Sequence, residues 1–197
     1  MIRPWPLLAS EQVFETRLFS VMADRARSPR TGGERTFHLI RMVDWLLVAP
    51  ITDAGKLVMV RQYRHGSRMA GLELPGGLHD GAGERPVEGI IRELAEETGY
   101  GNPDSEPLFL GELRPQPALL TNRVRIYLAK DVRPMAEPDP DPGEDIEVLL
   151  LSPDEIPSRI ATGEINNAMT VAALSLAQLG GHLDTCRTRR VSEKENW

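Results

Sequence analysis

The chain has one cysteine, Cys186, among its 197 residues. A lone thiol cannot close an internal disulfide, so the expected setting is a reducing cytoplasm. Positive charge is also scarce: 23 Lys and Arg stand against 29 Asp and Glu, a net charge of -6. Non-specific nucleic-acid binding needs a basic surface that displaces counterions, so no nucleic-acid partner is expected. A phosphorylated small molecule remains open, because a metal ion can supply positive charge locally. No apolar run approaches the ~20 residues of a membrane span. The opening MIRPWPLLASEQ lacks an apolar core of signal-peptide length, so no membrane partner is expected either. No repeat recurs at a fixed period. What is present is 41% hydrophobic and 26% charged residues, an ordinary globular balance with enough length for one substantial core.

Apolar runs and alternation predict strands over 13–24, 36–42, 43–52, 56–63, 72–74, 108–113, 124–129 and 146–151. Residues 27–34 read as a hairpin loop, and Asp53-Ala54-Gly55 as a turn pairing its flanking strands in the sheet core. Arg64 to Arg68 is a basic loop, and the Pro- and acid-rich stretch 134–144 is another. Helices are predicted over 85–98, from Ser152 to about Thr162-Gly163, and over 167–179. Pro86 suits a first helical turn, and Gly99 suits a left-handed stop. Gly89 weakens its helix by about 1 kcal/mol relative to Ala, which close packing on the sheet would offset. Ser152 and Glu155 have capping-box spacing, and Val171, Leu174 and Ala177/Gln178 form one stripe of the last helix. The charged tail 184–197 reads as loose. Strands, a helix, strands and helices in that order predict an α/β fold, a mixed sheet covered by helices.

Residues 73–100, ELPGGLHDGAGERPVEGIIRELAEETGY, hold the chemistry. On a helix, Glu93, Glu96 and Glu97 fall at i, i+3 and i+4 and project from one face, with Ile90, Leu94 and Ile91 on the apolar side. Glu-rich faces are common on solvated helices. This one follows a strand and a Gly-rich turn, is bounded by Pro86 and Gly99, and has Arg92 beside it to hold a carboxylate. Clustered oxygen ligands suit Mg²⁺ or Mn²⁺. Trp45 and Tyr63 are either core residues or base-stacking platforms, and His79 reads as a lone exposed residue.

The segment resembles the signature of the Nudix hydrolases. Gly77, Glu84, Arg92, Glu93, Leu94, Glu96, Glu97 and Gly99 fill its places. Six residues, Leu78 to Gly83, separate Gly77 from Glu84 where the family usually has five, and Tyr100 replaces an aliphatic residue. Val60-Arg61-Gln62-Tyr63-Arg64, Leu72 to Gly77, and Pro115 to Ala118 leading to Asn122-Arg123 are similar to the ADP-ribose pyrophosphatase branch, so the likeness spans roughly 40–180.

The resemblance implies an α/β/α sandwich with a mixed central sheet and a small N-terminal antiparallel sheet. It divides the chain into residues 1–42, which dimerise, a Nudix domain over 43–183 and the tail. It implies a homodimeric enzyme that uses Mg²⁺, or Mn²⁺, to split the pyrophosphate of ADP-ribose or a related nucleoside diphosphate sugar. The implied metal site is Gly76, by its carbonyl, with Glu93, Glu96 and Glu97. Glu84 would be a more distant ligand. The catalytic groups are Glu144, Glu96 and Arg92, with Asp145 and Asp141 as alternatives to Glu144 for the base. Arg64, Arg61 and Glu73 would bind substrate. Pro117-Ala118 and Asn122-Arg123 depart from the pattern of dedicated ADP-ribose enzymes, which leaves GDP-mannose open. A non-catalytic nucleotide-binding module is the other alternative.

Overall fold

The protein is described by a computed structural model covering residues 2–79, 81 and 83–184. Cys186, and all of the predicted tail after Asp184, lie outside the described residues.

Three strands, β1 (Leu7–Glu15), β2 (Phe19–Arg27) and β3 (Glu34–Met42), form a small antiparallel sheet. The predicted single strand over 13–24 is two strands. Thr16 breaks it, because its hydroxyl accepts the amides of Leu18 and Phe19 and gives the backbone a local turn. All nine residues of β1 are exposed, including Val13 and Phe14.

The main sheet contains β4 (Asp44–Thr52), β5 (Leu57–Arg64), β6 (Met69–Glu73), β7 (Leu78–His79), β8 (Tyr100–Gly101), β9 (Leu108–Leu113), β10 (Val124–Pro134) and β11 (Ile146–Leu151). Its spine runs β11-β5-β4-β10-β8, with β6 on β5, β7 on β4 and β9 on β10. Among the described residues, β4 and β10 pair in parallel and the other strand pairings of this sheet are antiparallel, so the sheet is mixed as expected.

Helix α1 (Pro86–Thr98) covers one face over Leu46, Val48 and Val58, with Val87, Ile90 and Leu94 as its buried apolar residues there. Ile91 stays 44% exposed and does not join that stripe. Gly89 does allow close packing: a Cβ there would lie 3.0 Å from the Leu46 side chain. The other face carries α2 (Ile156–Ala161) and α3 (Ala168–Leu179) over Leu57, Leu72 and Ile126. In α3 the buried residues are Thr170, Ala173, Leu174 and Ala177, so the stripe is rotated from the predicted one.

β4 and β5 form the expected antiparallel hairpin at their turn, with the strand pairing confined to Ile51 and Leu57. Beyond it they part, and the segment Pro75-Gly76-Gly77 fills the gap. The Val48 amide donates to the Pro75 carbonyl and the Leu46 amide to the Gly77 carbonyl, at 3.1 and 2.9 Å. The backbone groups that β5 leaves open on β4 are thus satisfied by the turn that leads to α1.

Candidate active site

That turn sets the site. A Cβ on Gly76 would meet the Leu46 carbonyl oxygen at 2.1 Å, so only glycine lets the backbone lie this close to β4. A Cβ on Gly77 would stand 2.5 Å from the Glu93 carboxylate. The Gly76 amide donates to Glu97 Oε2 at 2.9 Å. The glycine pair therefore brings turn and helix within reach of each other, and the turn anchors the deepest carboxylate.

Glu97 is 3% exposed. Burial pushes its pKa up to about 8, and the Gly76 amide opposes this; the charges of Glu144 and Glu93 raise it further, and Arg64 opposes them. Burial also raises Glu93, against the lowering influence of Arg92. Arg92 is the hub of the outer carboxylates, reaching Glu96 at 2.7 Å, Glu93 at 3.0 Å and Glu84 at 3.3 Å. Burial works against its charge, but those three partners hold its pKa above the usual value. Among the described residues, no three His, Cys, Asp or Glu side chains are arranged to hold a metal ion as they stand. The donor chemistry fits one nonetheless: oxygen donors only, with Glu97 buried and Glu93 partly buried, both raised first by burial and further by neighbouring carboxylates whose charge a hard divalent cation would offset.

These groups line a cleft of about 780 Å³. Its polar floor is Glu93, Glu96, Glu97 and the Gly76-Gly77 backbone, with Arg92, Arg64 and Glu73 beside it. Asp141 and Glu144 reach it from the loop after β10. That loop is docked on the end of α1, since Met135 and Ala136 donate to the Gly99 carbonyl and Asp139 to the Glu96 carbonyl. Gly99, at φ 70°, makes room for it, because a Cβ would lie 2.2 Å from the Ala136 oxygen. Gln62 Nε2 contacts Glu144 Oε1 at 3.4 Å. Arg64 holds the buried Glu73 through Nη2 and Nε at 3.0–3.3 Å. Burial disfavours its charge as well, but Glu73, Glu97 and Glu144 together raise its pKa.

Of the predicted site residues, Gly76, Glu93, Glu96, Glu97, Arg92, Arg64, Glu73 and Glu144 all come together in this cleft. Arg61 is not among its lining residues; it pairs with Glu147 at 2.7 Å and Glu164 at 2.8 Å. Trp45 lines the cleft, whereas Tyr63 is half-exposed and packs against His65. His79 is only 8% exposed, contrary to expectation, because β7 draws it in beside Asp44 of β4. The apolar wall includes Leu18, Phe19, Met42 and Met169, which no motif marked. Asn167 also lines the cleft, and its only sequence signal was its place at the start of a helix. Finding Phe19 and Met42 required knowing that the small sheet folds against the main one.

A strand, a glycine turn and a carboxylate helix set beneath a mixed sheet are the parts of a Nudix enzyme, and the comparisons agree. The family model described as the NUDIX domain matches residues 42–173, and the chain belongs to the Nudix hydrolase family. An ADP-ribose pyrophosphatase of Mycobacterium tuberculosis is 31% identical over 168 residues, covering 85% of this chain and 80% of that protein. A GDP-mannose pyrophosphatase of Cronobacter sakazakii is 31% identical over 136 residues, covering 65% and 69%. The crystal structure of an ADP compounds hydrolase superposes with a TM-score of 0.79 at 26% identity, covering 93% of this chain and 99% of that one. The protein is thus a hydrolase rather than a non-catalytic module of this fold.

Proposed function

We propose that this enzyme hydrolyses the pyrophosphate bond of ADP-ribose or a related nucleoside diphosphate sugar, giving a nucleoside monophosphate and a sugar phosphate, with Mg²⁺ or Mn²⁺ as cofactor. The observation that carries this is the convergence of partly buried Glu93, buried Glu97, loop-borne Glu144 and Arg64 in one cleft of about 780 Å³. That volume lies in the range of sites for small molecules and cofactors.

The Gly76 carbonyl, Glu93, Glu96 and Glu97 would hold the cation. Bound there, a divalent cation offsets the charge of the two phosphates and acidifies water at the site. Glu144 takes the proton of the attacking water, and its place on a loop docked to α1 lets it come to hydrogen-bond range over bound substrate. Arg64 clamps phosphate oxygens with its fork, and Glu73 aims it. Arg92 orients Glu93 and Glu96 and leaves Glu97 to the Gly76 amide. The apolar wall, with Trp45 and Phe19, faces the base. A homodimer built through residues 1–42 is supported by the uncovered strand β1, and a cytoplasmic setting by the single cysteine. The Nudix unit is then 43–183.

The test is incubation with ADP-ribose, GDP-mannose, UDP-glucose, dinucleotide polyphosphates and nucleoside triphosphates, with and without Mg²⁺, and identification of products. The expected result is metal-dependent release of AMP and ribose 5-phosphate from ADP-ribose. Preferential cleavage of GDP-mannose would select the second reading, to which the Pro117-Ala118 and Asn122-Arg123 departures point. No turnover of any substrate with metal present would sink the proposal.

A further inference from the structure

The start of α3 reaches the cleft from the opposite face of the sheet to α1. There Asn167 uses both ends of its amide. Its Oδ1 accepts the amides of Met169 and Thr170, at 2.9 and 3.3 Å, and so caps the helix. Its Nδ2 donates to Glu73 Oε2 at 2.8 Å. Glu73 is 4% exposed, and a carboxylate so buried must be supplied with donors. Its side-chain donors are Arg64 and Asn167.

We propose that Asn167 is a positioning residue for the reaction: by fixing Glu73 it sets where the Arg64 guanidinium stands in the cleft, and thereby how substrate phosphate is held. This rests on the reading that the cleft binds a nucleoside diphosphate. Three carboxyl groups act on Arg64, namely Glu73, Glu97 and Glu144. Two of them belong to the machinery that acts on the reacting phosphates. Arg64 stays clear of those two only while Glu73 is locked in the geometry that accepts both Nε and Nη2. The Asn167 amide supplies that lock from the other side of the carboxylate.

The surrounding backbone reinforces the arrangement. β6 pairs with β5 along one edge. Its other edge is closed by residues 164–170: the Leu72 amide donates to the Glu164 carbonyl at 2.8 Å, and the Leu74 amide to the Thr170 hydroxyl at 3.2 Å. A Cβ on Gly71 would lie 3.1 Å from Asn166 Oδ1, so the linker before α3 lies flush on the strand. Asn167 is therefore held by its own helix and by β6, and can act as a fixed point for Glu73.

Asn167→Ser and Asn167→Asp separate the two uses of the side chain. Ser and Asp cap helices as well as Asn does, but Ser is too short to reach Glu73 and an ionised Asp has no hydrogen to give. Asn167→Ser keeps the cap but withdraws one donor from buried Glu73, so its melting temperature is expected to fall by about 3–8 °C with the native fold retained. KM for ADP-ribose should rise about tenfold in Asn167→Ser and further in Asn167→Asp, while kcat changes by less than about threefold. In an Arg64→Ala background, adding Asn167→Ser should change KM by less than about twofold, since the two residues act as one unit. A readout independent of turnover is solvent exchange of the Arg64 Nε–H, followed by ¹⁵N NMR and assigned by its loss in Arg64→Ala. It should quicken at least about tenfold in Asn167→Ser, as a freed guanidinium hydrogen bond requires. An unchanged KM in an active enzyme, an unchanged Nε–H exchange, or an equal KM rise in the Arg64→Ala background would overturn the proposal. A wild-type protein that turns over no sugar nucleotide, yet shows the exchange response, would overturn the functional reading and leave the positioning of Arg64 standing.

Discussion

Burial and the neighbouring Glu144 and Glu93 charges all disfavour an ionised Glu97, against the Gly76 amide and Arg64. The Glu97 pKa of about 8 lies above the ordinary 4.5, so the folded, metal-free protein favours its protonated form. The contribution to stability is therefore full below pH 4.5 and is lost as pH rises through about 8. In EDTA, the melting temperature should fall across that window by an amount equivalent to at most about 1.4 kcal/mol per pH unit. Adding Mg²⁺ should restore it most at the alkaline end, and Glu97→Gln should flatten the dependence; thermal melts with and without EDTA at stepped pH check all three. The same substitution should cut kcat by about 10³ or more while the protein remains folded, as the proposed metal-ligand role of Glu97 requires. Glu144→Gln should also lower kcat, and should leave the EDTA melting profile nearly as steep as in wild type, because burial comes first among the causes acting on Glu97. Activity surviving either change would refute the role assigned to that carboxylate.

The glycine turn carries its sensitivity at two neighbouring places. Gly76→Ala drives a methyl group into the Leu46 carbonyl, backbone against backbone, and should destabilise the fold by about 3 kcal/mol. Gly77→Ala meets the end of a flexible side chain instead. It should displace Glu93 and reduce activity at least about tenfold with a much smaller loss of stability, because overpacking is felt least where the neighbour can yield. Urea denaturation beside steady-state kinetics distinguishes the pair. At this scale the sequence was most readable. The spacing of Arg92, Glu93, Glu96 and Glu97 placed them on one helix, and Pro86 and Gly99 marked its ends, because those signals are local. His79 was misjudged because nothing within its own segment reveals that β7 pairs with β4. Asn167 showed its capping role alone, since its hold on Glu73 spans residues far apart in the chain.

Across the whole molecule, the order of elements made the α/β class legible, while the meeting of the two sheets was not. Leu18, Phe19 and Met42, from the small sheet and its turn, wall the same cleft as the Nudix helix. Phe14 of β1 packs on Phe19, with ring centroids 6.3 Å apart, so pressure on β1 bears on that wall. With β1 uncovered, Phe14→Glu should convert the proposed dimer to a monomer, as light scattering after gel filtration would show; an unchanged mass would argue against assembly through this strand. The parting of β4 from β5 has its own reach. The Leu46 and Val48 amides are closed by the glycine turn and not by a neighbouring strand. Their deuterium uptake therefore times how often that turn lifts from the sheet. Two amides in the middle of the core thus act as a clock for the readiness of the site, one that runs with no substrate present.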